Sequence, residues 1–401
     1  MNLFQTELRQ RLDDLREQNL FRELRRVDSA QGTRIQIGGK TLLNFSSNDY
    51  LGLANHPALK AAAIHAIEKF GAGAGASRLV CGSLAPFHEL EEALAQFKKT
   101  EAALTFSSGY ATALGTICAL AGKGDIIILD KLVHASIVDA AKLSGAKLRI
   151  FAHNDLNDLE DKLRWANANK SAIGHRPSAI LIITESIFSM DGDAAPLRET
   201  VELKNKFGAW LMADEAHATG IFGQTGRGLA DELGVSDQIE IQMGTLGKAF
   251  GASGGYICGS RTLIDFLVNR ARSFIFSTAP IPASAAAATA GVQIAQSNEG
   301  ETRRKILRER INQLQSAIGN RQSAIPSAIV PLILGDENKA LSAATKLREQ
   351  NIFVPAIRYP TVARGAARLR ITLTAAHSAD DVSTLVDALK KIGNRQSAIG
   401  N

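Results

Sequence analysis

Lys248 stands in Gly244-Thr245-Leu246-Gly247-Lys248-Ala249-Phe250-Gly251, just after the run Ile239–Met243, which reads as a buried strand. A free ammonium favours water, so a lysine at the end of a buried strand and among glycines needs a partner or a task. Upstream, Trp210-Leu211-Met212-Ala213-Asp214-Glu215-Ala216-His217 is a second apolar run that ends in an acid. An acid and a lysine at the ends of two such strands can serve opposite ends of one cofactor, pyridoxal phosphate (PLP). The lysine would form a Schiff base with the aldehyde, and the aspartate would keep the pyridine nitrogen protonated. The plain alternative is a buried Asp–Lys ion pair, because buried charges are usually paired.

Further groups fall into the same pattern. Phe106-Ser107-Ser108-Gly109-Tyr110 precedes a helical stretch of small residues. Hydroxyls and backbone N–H groups at Ser108, Gly109 and Tyr110 can meet a phosphate there, although a serine at such a place is also an ordinary helix cap. His134 follows the run Ile126–Leu129, and Ser189 lies in Glu185-Ser186-Ile187-Phe188-Ser189-Met190-Asp191-Gly192-Asp193 after Leu181–Thr184. Asp214 and His217 end the next run, and Thr245 with Lys248 the one after. Ligands of open α/β sheets bind beyond the carboxyl ends of the strands, which is where all these residues fall.

The elements that must position them are six short apolar runs: Asp125–Leu129, Leu148–Ala152, Ala179–Thr184, Trp210–Ala213, Ile239–Met243 and Gly255–Cys258. Separated by helix-length stretches, they predict a mostly parallel sheet with helices on both faces, in a large PLP-binding domain over 49–280. Residues 1–48 form an N-terminal helix and arm, with Leu8, Leu12, Leu15, Leu20, Phe21 and Leu24 on one helical face over 2–26. After Pro282 an Ala-rich helix continues through Arg303–Leu314 into a smaller α+β domain over 281–391. Ala328–Leu334 and Arg368–Leu373 are its strands, with helices near 338–350 and over Ala379–Ile392, and 392–401 is a flexible tail. Ser171–Ile180 recurs approximately at Ser316–Ile325 and Ile392–Asn401; the spacing is too irregular for a solenoid, and these read as surface connections without chemistry.

Composition narrows the class. The chain has 401 residues, 45% hydrophobic and 21% charged, as in an ordinary globular enzyme. No apolar run approaches the ~20 residues of a membrane span, and acids and arginines interrupt the N-terminal stretch where a signal-peptide core would lie. Cys81, Cys118 and Cys258 have no metal-type spacing, which suggests no metal and a reducing cytoplasm. The net charge of +6 suits an anionic substrate, while the lack of a basic run with interleaved aromatics argues against nucleic acid. Gly71-Ala72-Gly73-Ala74-Gly75 follows no convincing strand and is a weak nucleotide-binding signal.

The segments Asp214-Glu215-Ala216-His217, Thr245-Leu246-Gly247-Lys248 and Glu185…Ser189-Met190-Asp191-Gly192-Asp193 resemble those of the α-oxoamine synthases. These are PLP enzymes of fold type I, the aspartate-aminotransferase fold. The likeness extends through Asn44-Phe45-Ser46-Ser47-Asn48-Asp49-Tyr50-Leu51-Gly52-Leu53, Ser77–Ser83, Phe276-Ser277-Thr278 and Arg368–His377, nearly the whole chain. Ala113 and Ala363 depart from residues common in the family, asparagine and proline, without removing a chemical group.

The resemblance implies decarboxylative condensation of an amino acid with an acyl thioester. Lys248 carries the cofactor and then removes the Cα proton, its pKa lowered by burial; Asp214 holds the pyridine nitrogen; His134 stacks on the ring; His217 and Ser189 bind its hydroxyl. Ser108, Gly109, Tyr110, Thr245 and the partner subunit's Thr278 take the phosphate. Arg370 takes the amino-acid carboxylate in preference to Arg368, two positions away on the same strand face. Asn48 belongs to the substrate site, and Arg22 and Thr361 sit where the thioester enters. Within the family, Ile357–Val362 and Ala367–Arg370 most resemble the branch of biotin synthesis that joins L-alanine to pimeloyl-CoA or pimeloyl-acyl carrier protein in a homodimer with shared sites. Glycine-using sisters, such as 2-amino-3-oxobutyrate CoA ligase and 5-aminolevulinate synthase, remain alternatives. So does a non-catalytic subunit of the same fold, although such a subunit should lack the lysine.

Overall fold

The computed structural model describes residues 2–170, 172–173, 176–319 and 325–397. The chain divides into two compact units, one of 48–189 with 193–306 and the other of 1–47, 190–192 and 307–401.

The first unit is built on a seven-stranded sheet. Its spatial order is Ala102–Phe106, Gly255–Gly259, Ile241–Thr245, Trp210–Asp214, Ile180–Glu185, Ile126–Asp130 and Lys147–Phe151. Gly255–Gly259 runs antiparallel to both neighbours, and the other strands share one direction. Ile126–Asp130 and Ile180–Glu185 are buried at every position. Successive strand residues face opposite sides, so both faces are covered, and the unbroken Ile/Leu runs satisfy both. These strands match the apolar runs to within two residues. Ala102–Phe106 was not among the runs, because Ala-Ala-Leu-Thr-Phe is poor in the β-branched residues that mark a strand.

Helices leave the carboxyl ends of the strands with local caps. The Ser108 hydroxyl accepts the Ala111 N–H at 3.1 Å at the start of Gly109–Leu120. His134 Nδ1 caps Ala135–Ser144 by accepting the Ser136 N–H at 3.2 Å. The Gly71–Gly75 loop follows the helix Pro57–Phe70 and no strand.

The second unit carries two three-stranded sheets. One has the order Arg34–Ile37, Lys40–Asn44, Ile352–Phe353, and the other Ile329–Gly335, Ala367–Thr372, Ala356–Ile357. Leu3–Glu17, Glu337–Glu349 and Ala379–Ser397 are its helices, with part of Asn298–Ile318.

Several boundaries differ from expectation. The N-terminal helix is Leu3–Glu17 and stops well before 26: Asn19 takes φ 56°, a left-handed conformation that asparagine tolerates and that ends helices. Leu24 is fully exposed, and no residue of that helix is buried. The helical stretch after Pro282 breaks at Ser297 into Pro282–Gln296 and Asn298–Ile318. Pro282–Gln296 packs on Pro57–Phe70 and Ala85–Lys98, so the expected border at 280/281 lies near 306/307. Residues 1–47 join the C-terminal unit and do not stand apart as an arm. The last helix runs to Ser397 through most of the supposed tail. Of the near repeats, 171, 174–175, 320–324 and 398–401 lie outside the described residues.

At Gly255 the sheet meets the first helix after it. A Cβ there would fall 2.4 Å from Thr112 Oγ1 and 2.9 Å from Gly109 Cα. Gly255→Ala is expected to lower stability by about 1–3 kcal/mol, the usual cost of overpacking, read as a reduced urea midpoint at unchanged m-value.

Candidate active site

Parallel register sets the first pair of groups. Asp214 lies opposite Glu185 on one neighbouring strand and opposite Met243 on the other. Both carboxylates are buried. Asp214 Oδ1 accepts the Ala216 N–H at 2.9 Å, and Glu185 Oε2 accepts the Ser189 N–H at 3.2 Å. Burial pushes the Asp214 carboxyl above the usual range, against the charge of Lys248 and the Ala216 N–H. Burial and the Asp214 charge push Glu185 well above it, against Lys248 and the N–H groups of His134 and Ser189. Glu185 Oε1 has no hydrogen-bond partner. Nothing in the sequence reading gave Glu185 a role, although an acid directly after Leu181–Thr184 repeats the pattern of Asp214 after Trp210–Ala213.

Lys248 and His217 meet, with Nζ and Nε2 2.9 Å apart. The other ring nitrogen of His217, Nδ1, lies 2.6 Å from the hydroxyl of fully buried Tyr50, which is also 3.3 Å from Asn48 Oδ1. Asn48 is thus linked to Lys248 through two side chains. Tyr50 was not among the expected site residues, although it stands two positions after Asn48 in the same segment.

A buried acid–lysine ion pair does exist here, between other residues. Lys98 Nζ reaches Glu215 Oε2 at 2.5 Å and the Arg227 carbonyl at 2.5 Å, with the two side chains 2% and 0% exposed. A Cβ on Gly228 would fall 2.4 Å from Glu215 Oε2. The second acid of Asp214-Glu215 therefore serves the fold.

The phosphate candidates cluster. A Cβ on Gly109 would lie 4.0 Å from Thr245 Cβ, so the start of the helix capped by Ser108 and the Thr245 strand end are adjacent. Thr245 Oγ1 donates to the Gly254 carbonyl at 2.9 Å. Tyr110 is half-exposed, its hydroxyl donating to Asp139 at 2.8 Å. Burial holds His134 below its ordinary value, with Lys248 adding to the effect and Asp214 and Asp139 opposing it, which disfavours charge on its ring. Thr278 is exposed and bridges Ser77.

Arg22, Thr361 and Arg370 belong to the other unit. Arg22 Nη2 donates to Thr361 Oγ1 at 3.3 Å, bringing together two residues expected to share a task. Arg368 is bound by Asp191 Oδ1 at 2.6 Å and by the Met190 carbonyl at 3.0 Å. Arg370 Nη1 donates to Thr372 Oγ1 at 2.9 Å.

The description aminotransferase class I and II matches residues 40–389. This chain belongs to that family. An 8-amino-7-oxononanoate synthase of Geotalea daltonii is 46% identical over 97% of this chain and 98% of its own. One of Anaeromyxobacter dehalogenans is 47% identical over 95% and 94%. Among solved structures, Sphingomonas wittichii serine palmitoyltransferase matches with TM-score 0.89 at 30% identity, over 99% of this chain and 98% of that one. An 8-amino-7-oxononanoate synthase from Francisella tularensis matches with TM-score 0.74 at 28% identity, over 90% and 99%.

One cluster next to these groups was not anticipated. His153 Nδ1 contacts Asp130 Oδ1 at 3.0 Å and its Nε2 contacts Asp193 Oδ2 at 2.7 Å, with the ring edge-on to Phe188. It ties the strand end before His134 to the loop that carries Ser189. Burial would lower its pKa, but the hydrogen bonds and charges of both aspartates win and raise it to about 10. A proton held more tightly in the folded state contributes fully below the unfolded value near 6.5 and is lost as pH climbs through about 10. Wild-type stability, measured by urea unfolding from pH 6 to 10.5, is expected to fall over that window more steeply than that of His153→Gln.

Proposed function

We propose that this chain is a PLP-dependent acyltransferase that condenses L-alanine with a pimeloyl thioester, of CoA or of acyl carrier protein. The products are 8-amino-7-oxononanoate, carbon dioxide and the free thiol, for biotin synthesis. The observation that carries the reading is 46% identity to an 8-amino-7-oxononanoate synthase over 97% of this chain.

The residues present fit the cofactor. Asp214 is a carboxyl whose burial disfavours its charge and which a cationic ring nitrogen would return to the anion. Beside it stand a lysine, a histidine and an open helix start next to Thr245. Lys248 would carry PLP, Asp214 would face its ring nitrogen, His134 would lie on its face, and His217 and Ser189 would take its hydroxyl. The N–H groups after Ser108, with Tyr110 and Thr245, would take the phosphate, aided by the partner subunit's Thr278 across a homodimer interface. When bound, PLP supplies a ring that draws off the electron pair left on the amino-acid α-carbon as carbon dioxide departs.

The chain's own groups do the rest. Lys248 would take the Cα proton of the amino acid, and His217 next to it would fix its position. Arg370 binds the alanine carboxylate in a two-pronged contact, and the engagement of Arg368 by Asp191 supports that choice. Asn48 lines the amino-acid site, and Arg22 and Thr361 receive the thioester.

Borohydride reduction of the yellow holoprotein should fix the label on Lys248, and Lys248→Ala should lose multiple turnover; a label mapped to another lysine sinks the assignment. Arg370→Ala should cost about 2–5 kcal/mol in kcat/KM, mostly as a higher KM for alanine. Turnover of alanine, glycine and serine with pimeloyl, acetyl, succinyl and palmitoyl thioesters tests the substrate pair. Some glycine turnover is expected, since one methyl group discriminates by only about 1–3 kcal/mol. A higher kcat/KM for glycine with acetyl-CoA, or for serine with palmitoyl-CoA, rejects the pimeloyl reading.

A further inference from the structure

His153 lies just past the edge strand Lys147–Phe151, at the mouth of the large sheet. Its Nδ1 is 3.0 Å from Asp130 Oδ1, and its Nε2 is 2.7 Å from Asp193 Oδ2. Both oxygens already act as acceptors. Asp130 Oδ1 takes the Leu132 N–H at 2.8 Å, and Asp193 Oδ2 takes one N–H of Asn154 Nδ2 at 3.0 Å. Asn154 Nδ2 also lies 3.3 Å from His153 Nε2, but its second N–H goes to the Ala194 carbonyl at 3.2 Å. An aspartic acid is a far stronger acid than an imidazolium, so in both contacts the proton stays on the ring. His153 is therefore a cation donating from both nitrogens, as the charges of the two aspartates favour.

Each aspartate fixes one stretch of the site. The Asp130 carboxylate accepts the N–H groups of Leu132 and Asn154, at 2.8 and 2.9 Å, and holds the turn that leads to His134. The Asp193 carbonyl accepts the Phe188 N–H at 3.0 Å, and Ile187 bridges Ala194, so Asp193 closes the loop that contains Ser189. The His153 ring also meets buried Phe188, the neighbour of Ser189, edge-on at 4.4 Å.

We propose that His153 is a positioning residue for the cofactor: held between Asp130 and Asp193, it fixes the spacing between the turn that carries His134 and the loop that carries Ser189. The inference rests on the reading that PLP lies between those two residues, with His134 on its face and Ser189 at its hydroxyl. It does not depend on which amino acid or thioester is condensed. An imidazolium suits the task because its two N–H groups sit on a rigid ring and point apart. A glutamine carries both N–H groups on one nitrogen and has no charge, so it serves one aspartate and leaves the other.

Two measurements test this. In cofactor-free wild-type protein with ¹⁵N-labelled histidine, the His153 signals are identified by their contacts with the Phe188 ring. They should show both ring nitrogens protonated at about pH 8, where a histidine of ordinary pKa is neutral. A neutral tautomer at that pH overturns the proposal and needs no variant, so misfolding of His153→Gln cannot shelter it.

The second measurement is equilibrium binding of PLP, followed by absorbance and visible circular dichroism well below the unfolding temperature. His153→Gln should raise the PLP Kd about 3- to 30-fold, within the range over which groups in one network couple. It should also weaken the visible dichroism, which reports how the ring is held. In a His134→Ala/Ser189→Ala background the same substitution should change Kd by less than about twofold, because the groups it positions are gone. In a Thr245→Ala background, at the phosphate end, the full effect should remain. An unchanged Kd, an unchanged dichroism, or an effect undiminished in the His134→Ala/Ser189→Ala background overturns the proposal; the last would mark general loosening. A holoprotein that passes both measurements but condenses no alanine with pimeloyl-CoA fails the functional reading alone. An active synthase whose PLP affinity ignores His153 fails this inference alone.

Discussion

Two carboxylates on adjacent strands, both withdrawn from water, set the terms for everything around them. Glu185 and Asp214 sit opposite each other in parallel register; burial raises the cost of charge on both, and the Asp214 charge raises it further on Glu185. Such a pair persists only where cations and N–H groups are supplied. The fold supplies Lys248 from the next strand end and backbone donors from the turns after each strand. The lowered pKa of His134 belongs to the same balance: burial is its main cause, with Lys248 adding to it and Asp214 and Asp139 opposing.

Much of this was legible in the chain. Ile126–Leu129 is apolar at every position and Leu181–Thr184 at all but its last, as a strand covered on both faces requires, and the residue after each run then falls at the mouth of the sheet. Asp214, His217, Thr245 and Lys248 followed from that rule. The rule did not reach Tyr50 or His153, which stand in turns whose direction depends on tertiary contacts. Nor did it reach Ala102–Phe106, whose alanines carry little strand signal. The helix ending at Glu17 was misread because the leucine pattern continues past Asn19, while the backbone turns there. Spacing records which side chains could share a face, and a single left-handed residue cancels that.

Chemically equivalent residues meet different neighbours at very short range. Asp214 opens toward the site while Glu215, its neighbour, is consumed by Lys98. Arg370 and Arg368 share a strand face, yet Arg368 is committed to Asp191. Burial disfavours charge on His134, whereas His153 is held as a cation between two aspartates. Residue type alone does not separate these pairs; the neighbour that reaches each group first does.

The strand Ala102–Phe106 joins the large sheet only through Gly255–Gly259, the last of its strands to be synthesised. Five other strands come between them in the chain. On a ribosome extending at about 5–20 residues per second, that interval is on the order of ten seconds. Until it ends, Ala102–Phe106 lacks its partner in the sheet. The nascent chain must carry an unpaired, apolar strand edge through more than a third of its synthesis, an invitation to mispairing that chaperones exist to cover. The edge of the sheet that carries Ser108 and Gly109 is therefore completed by one late insertion, and a ribosome that pauses before residue 255 leaves the strands that bear Glu185, Asp214 and Lys248 without that edge.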